Sequence, residues 1–100
     1  MAFNIGILIS GNGSNMLNII KASKSRQINS KIVTVVSNNS NALGIKKAKR
    51  NNINTKIINQ NLYSKNDFEK NLLDHLKKKS VNLICLAGFM KVLSADFIKR

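Results

Sequence analysis

The chain has 100 residues, 43% of them apolar, and its 17 lysines and arginines against 4 aspartates and glutamates give a formal net charge of +13. That length makes one small domain, large enough for a core without staples, and its apolar segments are strand-sized, far short of the ~20 residues of a membrane span. A single cysteine, Cys85, excludes an internal disulfide, and with no basic leader ahead of the first apolar run a cytoplasmic location is expected.

The near-continuous apolar run Phe3 to Ile9 predicts a parallel strand covered on both faces. Directly behind it stands Gly11-Asn12-Gly13-Ser14-Asn15, ahead of a helix-like segment. Two glycines one residue apart permit positive φ and close backbone approach. The N–H groups opening the helix then point outward beside the positive end of its dipole. The stretch reads as a phosphate cradle; the alternative is a tight turn and a well-capped helix with no ligand. Ser14 or Asn15 caps that helix, Met16, Leu17 and Ile20 form its buried stripe with Ile19 at the margin, and the polar Lys21 to Gln27 stretch ends it. Lys31 to Val36 predicts a second strand, Ser37 to Asn41 an Asn-rich loop, Ala42 to Arg50 a short helix, and Lys56 to Ile58 a brief third strand. Ser64-Lys65-Asn66-Asp67 then has the spacing of a capping box, and Phe68, Leu72, Leu73 and Leu76 follow on one helix face. Leu83 to Ala87 predicts a fourth, buried strand, in which Cys85 is a small hydrophobe rather than a reactive thiol. Gly88-Phe89-Met90 makes a loop, and Ser94 can cap a final helix with Asp96 in its first turn.

Strand and helix alternate throughout, which demands parallel strands joined by right-handed crossovers. The expected class is α/β: a Rossmann-like parallel sheet with helices on both faces. The loops Gly11 to Asn15 and Gly88 to Leu93 both follow strand carboxyl ends and belong on one rim, where such sheets bind ligands.

The net charge invites a nucleic-acid reading through phosphate contacts, and the distribution argues against it. Lysines are scattered, and the two densest groups, Lys46-Lys47-Ala48-Lys49-Arg50 and Lys77-Lys78-Lys79, sit at helix C-terminal ends, where the dipole favours cations. Four phenylalanines and one tyrosine, dispersed, offer no platform for stacking bases. The partners expected are anionic small molecules, with neither nucleic acid nor membrane.

Familiar glycine motifs narrow the ligand. A dinucleotide fingerprint needs glycine or alanine where Met16 stands and an acidic ribose ligand where Ser37-Asn38-Asn39 stands. A P-loop needs a Gly-Lys-Ser/Thr ending, and the turn has no lysine. What remains is a short cradle for one phosphate group, with Ser14 and Asn15 adding side-chain donors.

The run Leu8-Ile9-Ser10-Gly11-Asn12-Gly13-Ser14-Asn15, together with Leu86-Ala87-Gly88-Phe89-Met90-Lys91-Val92-Leu93-Ser94, resembles the N-terminal half of phosphoribosylglycinamide formyltransferases, the folate-dependent enzymes of purine synthesis. Val36-Ser37-Asn38 and Ala42-Leu43-Gly44 are similar to that family as well, and the likeness covers essentially all 100 residues. The resemblance implies that the phosphate of glycinamide ribonucleotide binds on Gly13, Ser14 and Asn15. It implies that 10-formyltetrahydrofolate, the formyl donor, lies along Met90, Lys91, Val92 and Leu93 and near Lys65, where the family commonly carries arginine. Lys65 can equally be a solvated first-turn residue of its helix. No metal is implied. The family's catalytic Asn, His and Asp come from an Asn-x-His-Pro motif and beyond. This chain has no proline, so no catalytic residue is expected within it, and residues 1–100 are expected to be the N-terminal part of one formyltransferase domain. His75, in mid-helix and away from the rim, is expected at the surface or its boundary. Two further expectations follow: self-association through an unprotected edge at Leu83 to Ala87, and loss of phosphate binding with the fold largely intact when Gly13 becomes β-branched. A non-catalytic phosphate- or nucleotide-binding module is the alternative function.

Overall fold

The computed structural model of the chain describes residues 3–25 and 30–88. Its elements alternate as the periodicity requires: β1 (Phe3–Ile9), α1 (Ser14–Lys24), β2 (Ser30–Ser37), α2 (Leu43–Arg50), β3 (Thr55–Ile57), a 3-10 turn at Gln60–Leu62, α3 (Lys65–Lys78) and β4 (Leu83–Leu86). All strand pairs are parallel and the sheet order is β3-β2-β1-β4. The Rossmann-like α/β expectation therefore holds, with β1 central.

Strand alternation sends the side chains of β1 to two cores. Ile5, Ile7 and Ile9 join Met16 and Ile20 of α1 and Ile45 and Ala48 of α2 on one face. Leu8 joins Val36, Ile58 and the α3 residues Phe68, Leu72 and Leu76 on the other. The β1–β2 register shifts between Ile5 and Gly6, which pair with Ile32 and Thr34. The extra residue, Val33, is a bulge. Without it Ile32 and Val35 would point to opposite faces; with it both pack on the α1/α2 side.

Several local expectations need correction. α1 is not capped by a Ser14 or Asn15 side chain: its N-cap is Gly13, at φ 79°, and Ser14 is already helical. α2 opens at Leu43 with Ala42 in the capping position, and β3 begins one residue early, at Thr55. β4 is not a buried strand. It pairs only with β1 among the described residues, so its outer side stays open and Leu83, Ile84 and Leu86 are 43%, 39% and 61% exposed. Cys85 is half-buried against the α1/α2 core. The N-cap expected at α3 is present: Ser64 Oγ accepts from the Asp67 backbone N–H at 3.2 Å. The expected final helix, with Ser94 and Asp96, lies outside the described residues.

Candidate anion-binding site

Each helix here follows a strand's carboxyl end, so the N-termini of α1, α2 and α3 gather on one rim. The first turns of α1 and α2 hold no acidic residue, so no carboxylate of their own offsets their positive dipole ends. β2 and β3 lie to one side of β1 and β4 to the other. The rim between β1 and β4 is thus the point where connections diverge, the usual ligand position in such sheets. A cavity of about 110 Å³ opens there, lined by Gly11, Asn12, Gly13, Ser14, Asn15, Ala87 and Gly88. The structure therefore brings the turn after β1 together with the start of the loop after β4.

Of the two glycines expected to need positive φ, only Gly13 does; Gly11 keeps negative φ, with open space where a Cβ would stand. A Cβ at Gly13 would lie 2.9 Å from Gly44 Cα and 3.0 Å from Met16 Cε. A β-branched residue there would therefore strain the backbone itself. This removes the expectation that such a variant keeps its fold, so exposed Ser14 and Asn15 are the cleaner probes.

Two residues of the site had not been singled out from sequence. Asn12 Oδ1 accepts from the Ser14 backbone N–H at 3.0 Å and from the Ser14 hydroxyl at 2.9 Å. A carboxamide oxygen thus stands on two donors expected to serve a ligand, and the Asn-x-Ser spacing of an Asx turn was the available signal. Gly44, in the first turn of α2, donates its N–H to the Gly11 carbonyl at 3.0 Å. Next to these, the Ser10 hydroxyl donates to buried Asn38 at 2.6 Å, tying the ends of β1 and β2 together. Lys65 is exposed as the first residue of α3, on the same rim. Met90, Lys91, Val92 and Leu93 lie outside the described residues.

His75 stands apart from this rim, as expected. It is half-buried toward the C-terminal end of α3, and its Nε2 lies 2.9 Å from the hydroxyl of fully buried Thr34. Burial, then the charges of Lys56, Lys79 and Lys78, hold its pKa below the ordinary value. Among the described residues no group of three or more His, Cys, Asp and Glu side chains could hold a metal ion, and no helix is long and apolar enough to cross a membrane.

The formyl transferase family model matches residues 3–100. The chain belongs to the formyl transferase family. Within it, the chain is 40% identical over 109 residues to the phosphoribosylglycinamide formyltransferase of Dictyostelium discoideum, covering 100% of this chain and 53% of that protein. It is also 40% identical over 97 residues to the trifunctional purine biosynthetic protein adenosine-3 of Gallus gallus, covering 96% of this chain and 10% of that one. The crystal structure of phosphoribosylglycinamide formyltransferase from Brucella melitensis superposes with a TM-score of 0.94 at 35% identity, covering 98% of this chain and 52% of that one. The chain spans about half the length of these two phosphoribosylglycinamide formyltransferases. The formyltransferase fold expected from the motif pair is therefore established, and the turn after β1 is a feature of a formyl transferase domain.

Proposed function

We propose that the chain is the N-terminal, substrate-holding part of a phosphoribosylglycinamide formyltransferase of purine biosynthesis acting in the cytoplasm. In that reaction the amine of glycinamide ribonucleotide attacks the formyl carbon of 10-formyltetrahydrofolate, and a tetrahedral intermediate collapses with departure of the folate nitrogen. The observation that carries the reading is the cavity between the turn after β1 and Ala87-Gly88, in a chain whose relatives bear that enzyme's name. Gly13, Ser14 and Asn15 hold the ribonucleotide phosphate, at a helix N-terminus free of acidic side chains. Lys65, Met90, Lys91, Val92 and Leu93 border the folate. The proton-transfer groups come from a C-terminal part beyond these 100 residues, so the chain positions substrate and does not by itself complete the transfer. No metal takes part, and the partners are small molecules, together with a second copy or a complementing segment on the open edge of β4.

Calorimetric titration with glycinamide ribonucleotide tests the phosphate assignment. The wild-type chain binds, and the double variant Ser14→Ala/Asn15→Ala binds about tenfold more weakly, the effect of losing hydrogen bonds to a charged group. Equal affinity of the two proteins overturns the assignment. Formyl transfer that never appears, even with a C-terminal segment supplied, favours a non-catalytic binding module instead.

A further inference from the structure

We infer that Gly44 is a positioning residue for the phosphate turn: the N-terminus of α2 sets the geometry of Gly11 to Gly13, and only glycine at position 44 allows it. This rests on the phosphate-binding reading above and adds a residue that does not itself face the cavity.

Glycine is about 1 kcal/mol worse than alanine as a helix former, so its place within the first turn of an eight-residue helix calls for a reason. The reason is contact. A Cβ on Gly44 would overlap Ile9 Cδ1, and would stand 3.2 Å from the Gly11 carbonyl oxygen and 3.2 Å from Gly13 Cα. The approach is mutual, because the missing Cβ of Gly13 would meet Gly44 Cα at 2.9 Å. Two backbones therefore touch with no side chain between them, one glycine on each.

The Gly44 N–H to Gly11 carbonyl hydrogen bond of 3.0 Å runs through the same contact. It commits that carbonyl oxygen to α2, so that its negative end is engaged by a donor rather than left to repel an anion beside the turn. The contact also backs Gly13 at φ 79°, the left-handed residue that starts α1 and aims its first N–H groups. Gly44 thus acts on a ligand through the turn.

The obstacles to a side chain at position 44 divide into two kinds, and this makes the inference testable. Ile9 Cδ1 is the end of a core side chain and can be removed, whereas Gly11 O and Gly13 Cα are backbone and cannot. The experiment follows backbone amide shifts of Ser14 and Asn15 in the ¹⁵N-labelled chain on titration with inorganic phosphate, beside thermal melts, for wild type, Gly44→Ala and Ile9→Val/Gly44→Ala. The expected result is that Gly44→Ala lowers both melting temperature and phosphate affinity, the latter about tenfold, as when hydrogen bonds to a charged group lose their geometry. The double variant regains much of the melting temperature but not the affinity. Wild-type affinity in Gly44→Ala, or affinity returning together with stability in the double variant, overturns the inference while the phosphate site stands. No phosphate response at Ser14 and Asn15 in wild type overturns the phosphate reading, and Gly44's role with it.

Discussion

His75 meets the Thr34 hydroxyl, and it faces the positive charges of Lys56 on β3, Lys78 at the end of α3 and Lys79 at its C-cap. Both burial and these lysines favour the neutral imidazole, so its pKa in the folded chain lies below the unfolded value. The unfolded chain therefore binds the proton first as pH falls. Stability from this group is present above the ordinary value near ~6.5 and is lost as pH drops through the folded value. Because His75 is the only histidine of the sequence, it is the one side chain that ordinarily titrates there. Denaturant melts between roughly pH 7.5 and 5.5 are expected to show stability falling with pH in wild type and much less change in His75→Gln; parallel slopes would refute the assignment. Position and composition placed His75 off the rim. They did not disclose Thr34 as its partner, because that pairing depends on the Val33 bulge, which turns Thr34 toward α3.

Among the elements, α2 and α3 end alike without a glycine. After α2 the left-handed residue is Asn52, at φ 60°, with Asn52 N–H donating to the Lys49 carbonyl and Ile53 N–H to that of Ala48. After α3 it is Ser80, at φ 57°, with Ser80 N–H donating to Lys77 and Val81 N–H to Leu76. Both are Schellman closures, and each sets an apolar residue, Ile53 or Val81, against a core. Asparagine tolerates this conformation better than serine does. Replacing Ser80 with glycine is expected to stabilise the chain by about 1 kcal/mol, and replacing Ser64, the N-cap at the other end of α3, with alanine to destabilise it by about 1 kcal/mol. Chemical denaturation checks both, and a destabilising Ser80→Gly would show that the residue is held by something other than its backbone. These stops were hard to read in advance because the usual signal, glycine, is missing. The Ser64 cap and the Phe68, Leu72, Leu76 stripe were legible because local spacing alone defines them. Lys56 to Ile58 was misplaced by one residue, since a three-residue strand has almost no period to read. The glycine turn after β1 was legible as a motif, but its contact with α2 was not: Gly44 lies 31 residues after Gly13, and only the fold brings the two together.

At the scale of the whole molecule, the lysines thicken at the C-terminal ends of α2 and α3, away from the rim, where the helix dipoles welcome them. The open side of β4 is apolar by contrast, with Leu86 61% exposed. An edge of that kind templates pairing, while a net charge of +13 opposes the approach of a second copy. The two effects respond differently to salt. Light scattering at micromolar concentration is expected to show association that grows with ionic strength as repulsion is screened, and Ile84→Lys with Leu86→Lys is expected to restore a monomer. A wild-type monomer at every salt concentration would count against the edge. β4 also carries Ala87 and Gly88 at its end, so one wall of the anion cavity hangs on a strand that β1 alone holds among the described residues. If an anion binds in that cavity, the two are expected to be linked equilibria: a chain that pairs with the outer side of β4 would steady that wall and tighten anion binding. By reciprocity, the anion is then expected to slow hydrogen exchange along β4 and to raise the affinity of the edge for a pairing chain by the same factor.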